Sequence, residues 1–114
     1  MKKAILIISM LIIALFLTAC SKQDPAVLNS FATCLTEKGA KMYGAYWCGH
    51  CKNQKKLFGS SFAKVEYVEC TEETQRCTDE GIKGYPTWKF VDGSSLNGVQ
   101  ALASLAQKTG CLLS

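Results

Sequence analysis

Residues 46–52 read Tyr-Trp-Cys-Gly-His-Cys-Lys, and this stretch decides how the sequence on either side of it is interpreted. Residues 40–46 are short, apolar and aromatic, which predicts a buried strand. Residues 52–58 are predicted to continue as a helix. Cys48 and Cys51 therefore lie at the junction of a strand and a helix. Their spacing of three residues brings both side chains to one helical face, close enough to form a disulfide and to open it again.

The position of Cys48 at the start of the predicted helix favours its thiolate. Unpaired backbone N–H groups and the helix dipole stabilise negative charge there, and the thiolate is the attacking species in disulfide exchange. Cys48 is therefore the predicted nucleophile, and Cys51, one turn deeper, is predicted to resolve the mixed disulfide. Gly49 and His50, with the preceding Trp47, are predicted to tune the pair. A protonated His50 would favour the thiolate; the alternative is a solvated surface residue without a role.

Two other interpretations of the cysteine pair remain open: half of a zinc site, or a static disulfide. Zinc needs four ligands. Cys70 and Cys77 are too far apart in sequence to form a second Cys-x-x-Cys knuckle. We therefore predict a redox-active pair, with no metal and no cofactor.

The hydrophobic periodicity of the rest of the chain predicts an alternation of helices and strands. A helix is predicted to start at an Asp24 cap and Pro25 and to end at Gly39. The later elements are a strand at residues 64–69, a helix at 74–80, strands at 87–91 and 96–99, and a helix at 100–108. This order predicts an α/β fold, with a mixed central sheet of about four strands and helices on both faces.

The N-terminal residues 1–19 have the pattern of an export signal. A short basic segment precedes an apolar run at residues 4–17, which is shorter than the roughly 20 residues that a membrane-spanning helix needs. The run ends in Leu17-Thr18-Ala19-Cys20, which resembles a bacterial lipoprotein lipobox. Cys20 is then the lipidated first residue of the mature protein, residues 20–24 form the lipidated cysteine and tether, and residues 25–114 form the domain. An uncleaved anchor or an ordinary signal peptide are the alternatives, and each of them predicts an extracytoplasmic location.

Length, charge and cysteine content indicate a single domain that contains disulfides and does not bind nucleic acid. The 114 residues permit one domain. Removal of residues 1–19 lowers the formal charge from +4 to +2, and lysines and acidic residues are interspersed, so the charge does not indicate nucleic-acid binding. Six of the seven cysteines remain if Cys20 is lipidated. An even number in an exported chain predicts disulfides, with about 15 pairings to choose from.

Two motifs in this sequence resemble those of the thioredoxin family. Residues 46–52 are similar to the thioredoxin active-site segment, and Gly-His between the cysteines is similar to the dipeptide of protein disulfide isomerase domains. Residues 81–88, Gly-Ile-Lys-Gly-Tyr-Pro-Thr-Trp, resemble the thioredoxin segment that ends in a cis-proline. The resemblance implies a thioredoxin-like fold, a cis Pro86 packed against the cysteine pair, and substrate docking at Tyr85 and Pro86. A trans proline at the start of a strand is the alternative.

Within this family, the resemblance is closer to one branch. Residues 42–48, 54–59 and 67–70 are similar to the thioredoxin-like domain fused to, or partnered with, bacterial vitamin K epoxide reductase homologues. This implies a protein that passes disulfides to exported substrates and is reoxidised by a quinone-linked membrane partner. Met42 departs from the family pattern, because many thioredoxins carry a buried carboxylate at this position. The proton of the resolving thiol must then leave through water or through another group such as Lys52.

Four cysteines remain besides Cys20 and the Cys48–Cys51 pair. We interpret Cys70 and Cys77 as a structural disulfide, which the family resemblance supports. Cys34 and Cys111 are then left over in the first and last predicted helices. Their pairing rests on elimination, and free buried thiols are the alternative.

Together these observations predict an extracytoplasmic thiol–disulfide oxidoreductase, lipid-anchored to a bacterial membrane on its periplasmic or cell-surface side. We expect it to donate disulfides to exported proteins and to be reoxidised by a vitamin K epoxide reductase-like membrane partner. An exported thiol reductase or isomerase, for example in cytochrome assembly, is one alternative. A non-catalytic binding module stapled by disulfides is another.

Overall fold

A computed structural model describes residues 23–114. The predicted signal peptide at residues 1–19 and the predicted lipidation site Cys20 lie outside the described residues. The order of elements confirms the predicted alternation of helices and strands. The elements are α1 (Pro25–Glu37), β1 (Lys41–Gly44), α2 (Gly49–Phe58), a 3-10 helix (Gly59–Lys64), β2 (Glu66–Glu69), α3 (Thr74–Asp79), β3 (Thr87–Lys89), β4 (Ser95–Asn97) and α4 (Leu102–Thr109). Among these residues, no helix is both long and apolar enough to cross a membrane.

The four strands form one mixed sheet in the order β2-β1-β3-β4. β1 is parallel to β2, with Met42 opposite Tyr67 and Gly44 opposite Glu69. β3 is antiparallel to both β1 and β4. A parallel pair needs a crossover connection, which α2 supplies between β1 and β2, whereas β3 and β4 form a hairpin. This topology confirms the predicted mixed α/β sheet.

Helices cover both faces of the sheet, as predicted, but unequally. On one face, Met42 and Trp88 belong to a large buried cluster that includes Phe31, Leu105 and Phe58 from three different helices. On the other face lies a smaller cluster, formed by Tyr43, Val68, Cys70 and Cys77, the last of which belongs to the short helix α3. The face that carries Met42 is therefore the one against which α2 and its cysteines pack.

The main difference from the predicted elements is the 3-10 helix, which follows α2 where the sequence predicts only a break. Gly59 ends α2 with a φ of 58°, and the segment after it is held by contacts distant in sequence. Ser61 Oγ donates a hydrogen bond to Asn29 Oδ1 at 2.9 Å, and the ring of Phe62 packs edge-on against Phe58 and Tyr67. Such contacts leave no periodic pattern in the sequence, so the end of α2 was predictable but the 3-10 helix after it was not.

Two disulfides close loops of very different length. Cys70 and Cys77 are bonded across a separation of 7 residues, and Cys34 and Cys111 across a separation of 77. Cys111 lies just beyond α4, which ends at Thr109, and not within the last helix as predicted. Gly110 causes this difference, because its φ of 78° ends the helix before Cys111.

Candidate active site

Cys48 caps the N-terminus of α2 with its own sulfur. The backbone N–H of Cys51 donates a hydrogen bond to Cys48 Sγ at 3.2 Å. The strand ends early because Cys48 N–H donates to Ala45 O at 3.0 Å, in a turn that leads directly from β1 into α2. The sulfur thus occupies the place where a helix accepts negative charge, since a backbone N–H and the helix dipole both point at it.

Cys51 lies below Cys48 and is shielded from solvent. Its exposed fraction is 0%, whereas that of Cys48 is 6%, and neither forms a disulfide in this structure. Burial, followed by the hydrogen bond with Cys48, raises the pKa of the Cys51 thiol to about 12. Of the two sulfurs, only Cys48 is therefore accessible from outside, while Cys51 remains a protonated thiol at neutral pH.

The segment that contains Pro86 faces the cysteine pair. The Tyr85–Pro86 peptide bond is cis. Cys48 Sγ donates a hydrogen bond to Tyr85 O, with 3.7 Å between the two atoms. Pro86 is buried, and its carbonyl accepts a hydrogen bond from Gly98 N–H at 2.8 Å, which fixes the segment to the end of β4. The two residues predicted to dock substrate are thus brought directly against the predicted nucleophile.

Two exposed aromatic residues directly precede Cys48 in the chain. Tyr46 is 67% exposed and Trp47 is 60% exposed. The Trp47 ring packs edge-on against Tyr85, with 5.9 Å between ring centroids. Exposed aromatic groups at this density are typical of surfaces that bind other chains. Gly49 and His50 lie in the first turn of α2, both exposed, so the predicted tuning role of His50 stays a prediction.

The floor of the site contains no carboxylate at the position of Met42, which is fully buried. Lys52, named as an alternative proton acceptor in the sequence analysis, is exposed on the outer surface of α2. Lys55 points inward instead, with its Nζ 4.1 Å from the centroid of the Tyr67 ring. Two polar side chains that the sequence did not single out, Lys55 and Tyr67 of β2, therefore lie near the buried thiol.

A second residue that the sequence analysis missed is Gln54, one turn after Cys51 and fully buried. Its Oε1 accepts hydrogen bonds from Trp88 Nε1 at 3.1 Å and from Gln100 N–H at 2.7 Å. Its Nε2 donates to Gln100 O at 3.0 Å. Gln54 is a polar residue next to several lysines, so the sequence does not predict that its side chain is buried. Only the tertiary structure shows that Gln54 anchors α2.

The other predicted cysteines lie away from the nucleophile. The disulfide between Cys70 and Cys77 belongs to the smaller cluster, against which Ile82 and Tyr85 pack, so it supports the segment that leads to Pro86. The Cys34–Cys111 disulfide joins α1 to the segment after α4. Among residues 23–114, no three histidine, cysteine or acidic side chains stand together as the ligands of one metal ion would.

Comparisons with known proteins find relatives named as thiol–disulfide oxidoreductases and protein disulfide-isomerases. The thiol–disulfide oxidoreductase LTO1 of Arabidopsis thaliana is 40% identical over 104 residues, which cover 83% of this chain and 27% of that protein. A protein disulfide-isomerase of Aspergillus oryzae is 38% identical over 56 residues, which cover 43% of this chain and 11% of that protein. The chain thus spans about a quarter or less of the length of these relatives. Among solved structures, thioredoxin NaTrxh of Nicotiana alata has a TM-score of 0.46 at 21% identity, covering 60% of this chain and 67% of that chain.

The family model described as thioredoxin matches residues 27–109, which is nearly the whole of the described structure. The match includes the four-stranded mixed sheet, the cysteine pair at the start of α2 and the cis-proline segment opposite it. The chain therefore belongs to the thioredoxin family.

Proposed function

We propose that this chain is an extracytoplasmic thiol–disulfide oxidoreductase that donates disulfides to exported proteins. The observation that carries the proposal is the placement of Cys48 Sγ, which caps α2, accepts the Cys51 N–H and faces the carbonyl of Tyr85. The named activities of the relatives, a thiol–disulfide oxidoreductase and a protein disulfide-isomerase, support the same chemistry.

The proposed reaction is an exchange in which two electrons pass from the substrate to the cysteine pair. A substrate thiolate attacks Cys48 Sγ of the Cys48–Cys51 disulfide, the S–S bond breaks, and Cys51 leaves as a thiolate that takes up a proton. A second substrate thiolate then attacks the substrate sulfur of the mixed disulfide. The substrate disulfide forms, and Cys48 leaves as a thiolate that the N-terminus of α2 stabilises.

One feature favours disulfide donation over reduction. Stabilisation of the Cys48 thiolate by the α2 N-terminus stabilises the reduced form, which makes the disulfide more oxidising.

The extracytoplasmic location and the membrane partner are parts of the same proposal. Two structural disulfides persist most readily in an oxidising compartment. The N-terminal pattern that ends at Cys20 supports export and a lipid anchor on a bacterial membrane. We expect a quinone-linked membrane protein of the vitamin K epoxide reductase type to return the cysteine pair to its disulfide form, through its own disulfide.

The direct test is to trap the mixed disulfide in cells. In a Cys51→Ala variant, the Cys48 thiolate can still attack the disulfide of the recycling partner, or one within an exported substrate, but no Cys51 thiolate is left to release the adduct. These proteins should therefore accumulate as covalent complexes that reductant dissolves. The matched control is the Cys48→Ala, Cys51→Ala double variant, which retains the two structural disulfides but no attacking sulfur. If the single variant folds and yields no more adducts than the double variant, the proposal is wrong.

A second measurement separates a disulfide donor or isomerase from a reductase. The isomerase alternative has specific support from the relatives that carry that name. Equilibration of the Cys48–Cys51 pair with glutathione gives its reduction potential. We expect a value near −120 to −180 mV, typical of oxidants and isomerases, whereas a value near −270 mV would indicate a reductase. A pair that does not react with glutathione at all would favour a binding module.

A further inference from the structure

The buried thiol of Cys51 needs a route for its proton. Whenever the reduced pair is reoxidised, Cys51 must become a thiolate in order to attack the sulfur of Cys48. It is fully buried, and burial together with its hydrogen bond to Cys48 raises the pKa of the thiol to about 12. Met42, which occupies the usual place of the base, cannot accept the proton. The proton must therefore leave through water or through another group.

The tyrosine of β2 approaches Cys51 across Gly44. A Cβ atom at Gly44 would lie 3.0 Å from Cys51 Sγ, and 3.0 and 3.2 Å from Cε2 and Oη of Tyr67. The thiol and the phenol thus face the same point above the glycine Cα. Gly44 places no side chain between the two groups, so a water molecule could bridge them.

A carboxylate holds the tyrosine hydroxyl from the other side. Tyr67 Oη donates a hydrogen bond to Glu69 Oε1 at 2.9 Å, because residues two apart on a strand lie on the same face. The second carboxylate oxygen accepts hydrogen bonds from Thr71 N–H and Oγ1 at 3.2 and 2.8 Å. Partial burial raises the pKa of the Glu69 carboxyl, but these hydrogen bonds and nearby Lys55 outweigh it, so the net pKa lies below its usual range. Glu69 is thus ionised at neutral pH and is half-exposed to water.

These groups lead from the buried sulfur to a half-exposed carboxylate. We propose that Tyr67 is the proton-transfer residue for Cys51, and that Glu69 is the positioning residue that orients the Tyr67 hydroxyl and passes the proton to water. The other titratable groups that face this path are Cys48 and Lys55, both from α2. The inference rests on the proposed function, since it concerns the resolving step of the same disulfide exchange.

The proposed step begins when the Cys48 thiolate attacks a disulfide of the partner, which forms a mixed disulfide and releases one partner thiolate. The Cys51 proton moves to Tyr67 Oη while the hydroxyl proton of Tyr67 moves to Glu69. The Cys51 thiolate then attacks Cys48 Sγ, the Cys48–Cys51 bond forms, and the second partner thiolate leaves. Glu69 gives its proton to water, Tyr67 regains its hydroxyl orientation, and the partner has gained two electrons.

A stopped-flow experiment with the aromatic disulfide 5,5′-dithiobis(2-nitrobenzoate) separates the two sulfurs. The purified full chain, with the Cys48–Cys51 pair reduced and the structural disulfides intact, is mixed with excess reagent between pH 5 and 8. Attack by Cys48 releases the first coloured thiolate at a rate proportional to reagent concentration. Resolution by Cys51 releases the second at a rate independent of that concentration. The first phase thus tests the proposed function, and the second tests the proton path.

We expect Tyr67→Phe to slow the second phase at least tenfold at pH 6.5 and to leave the first phase within twofold of wild type, since assisted proton transfer contributes about 10²–10⁴-fold to such steps. The residual rate should rise about tenfold per pH unit, because hydroxide then removes the proton, whereas the wild-type rate should rise less steeply. Glu69→Gln keeps an acceptor for the Tyr67 hydroxyl but removes the charge, so it should also slow only the second phase and steepen its pH profile.

Matched controls are available in the same strands. Tyr43→Phe removes the hydroxyl of a buried tyrosine on the opposite face of the sheet, and Glu66→Gln removes a carboxylate that pairs with Lys41 and Arg76 instead. Neither should change the second phase. An unchanged second phase in Tyr67→Phe, or equal slowing in Tyr43→Phe, would overturn the proton path. Absence of the first phase in wild type would instead overturn the proposed function.

Discussion

Replacement of Gln54 with leucine tests how α2 is held in place. The side chain of Gln54 is fully buried and makes three hydrogen bonds, which join α2 to Trp88 of β3 and to both backbone groups of Gln100. Leucine has a similar volume and no polar atoms. The substitution therefore removes the hydrogen bonds with little change in packing.

The cost follows from the groups that lose their partners. Trp88 is 0% exposed, so its indole N–H is left without an acceptor, at a cost of about 1–3 kcal/mol. Gln100 is half-buried, so water replaces part of the hydrogen bonding that its backbone N–H and C=O groups lose. Together the loss comes to about 2–3 kcal/mol, which lowers the Tm of a domain of this size by roughly 10–20 °C.

Urea unfolding of the oxidised protein, followed by far-UV circular dichroism, measures this change in every variant, including those that lack Trp88. Gln75→Leu is the matched control, because Gln75 makes one exposed hydrogen bond, to Asp79, and its replacement should change stability by less than about 0.5 kcal/mol. In a Trp88→Phe background, which lacks the indole donor, Gln54→Leu should cost at least about 1 kcal/mol less than in wild type. Equal costs in the two backgrounds would refute the assignment of the penalty to the orphaned indole.

Three other outcomes follow from the structure and from the predicted leader. Because the pKa of the Cys51 thiol is raised to about 12 and an unfolded thiol ionises near 8.5, only the unfolded state loses this proton above pH 8.5. The reduced wild type should therefore lose about 2 kcal/mol more stability than Cys51→Ala between pH 8 and 10 in urea titrations; parallel pH profiles would contradict this. Replacement of both Cys34 and Cys111 by serine should cost about 4.5 kcal/mol from loop entropy across the separation of 77 residues, measured by the same unfolding; a loss under about 1 kcal/mol would be inconsistent with it. Cys20→Ser should abolish incorporation of labelled fatty acid in cells, and undiminished labelling would exclude lipidation at that residue.

Much of the fold was predictable because local signals agree with the global arrangement. Asp24 accepts a hydrogen bond from Ala26 N–H at 2.8 Å and caps α1 where the sequence predicts a helix start. Helix and strand identities came from periodicity, and the mixed sheet from their order. The ends of β1 were less predictable, since the strand stops at Gly44 where a turn from Ala45 to Cys48 begins. That turn is set by the docking of α2, which no local propensity reports.

The site was predictable in its sulfur chemistry but not in its polar surroundings. The spacing of Cys48 and Cys51 depends on helix geometry alone, so sequence suffices for it. The approach of Tyr67 to Cys51 depends on the register between β1 and β2, which places Tyr67 opposite Met42 and Glu69 opposite Gly44. A shift of one residue would turn both side chains to the other face of the sheet. Sequence periodicity gave the alternation of β2 but not its partner residues.

The first turn of α2 shows why a cysteine stands at its start. Serine, threonine, aspartate and asparagine are the preferred N-cap residues, because their oxygen atoms accept strong hydrogen bonds from the first free N–H groups. Cys48 accepts this hydrogen bond with a sulfur, at 3.2 Å, and sulfur is a weaker acceptor. Helix stability alone would therefore select a different residue at position 48. The N–H groups at the start of α2 form only a weak hydrogen bond with a neutral thiol and a much stronger one with a thiolate. The Cys48 cap therefore stabilises α2 most when Cys48 is a thiolate, the form that attacks a disulfide or leaves one. Stability of α2 then has to come from elsewhere along the helix, and the three hydrogen bonds of the buried Gln54, six residues after Cys48, contribute to it.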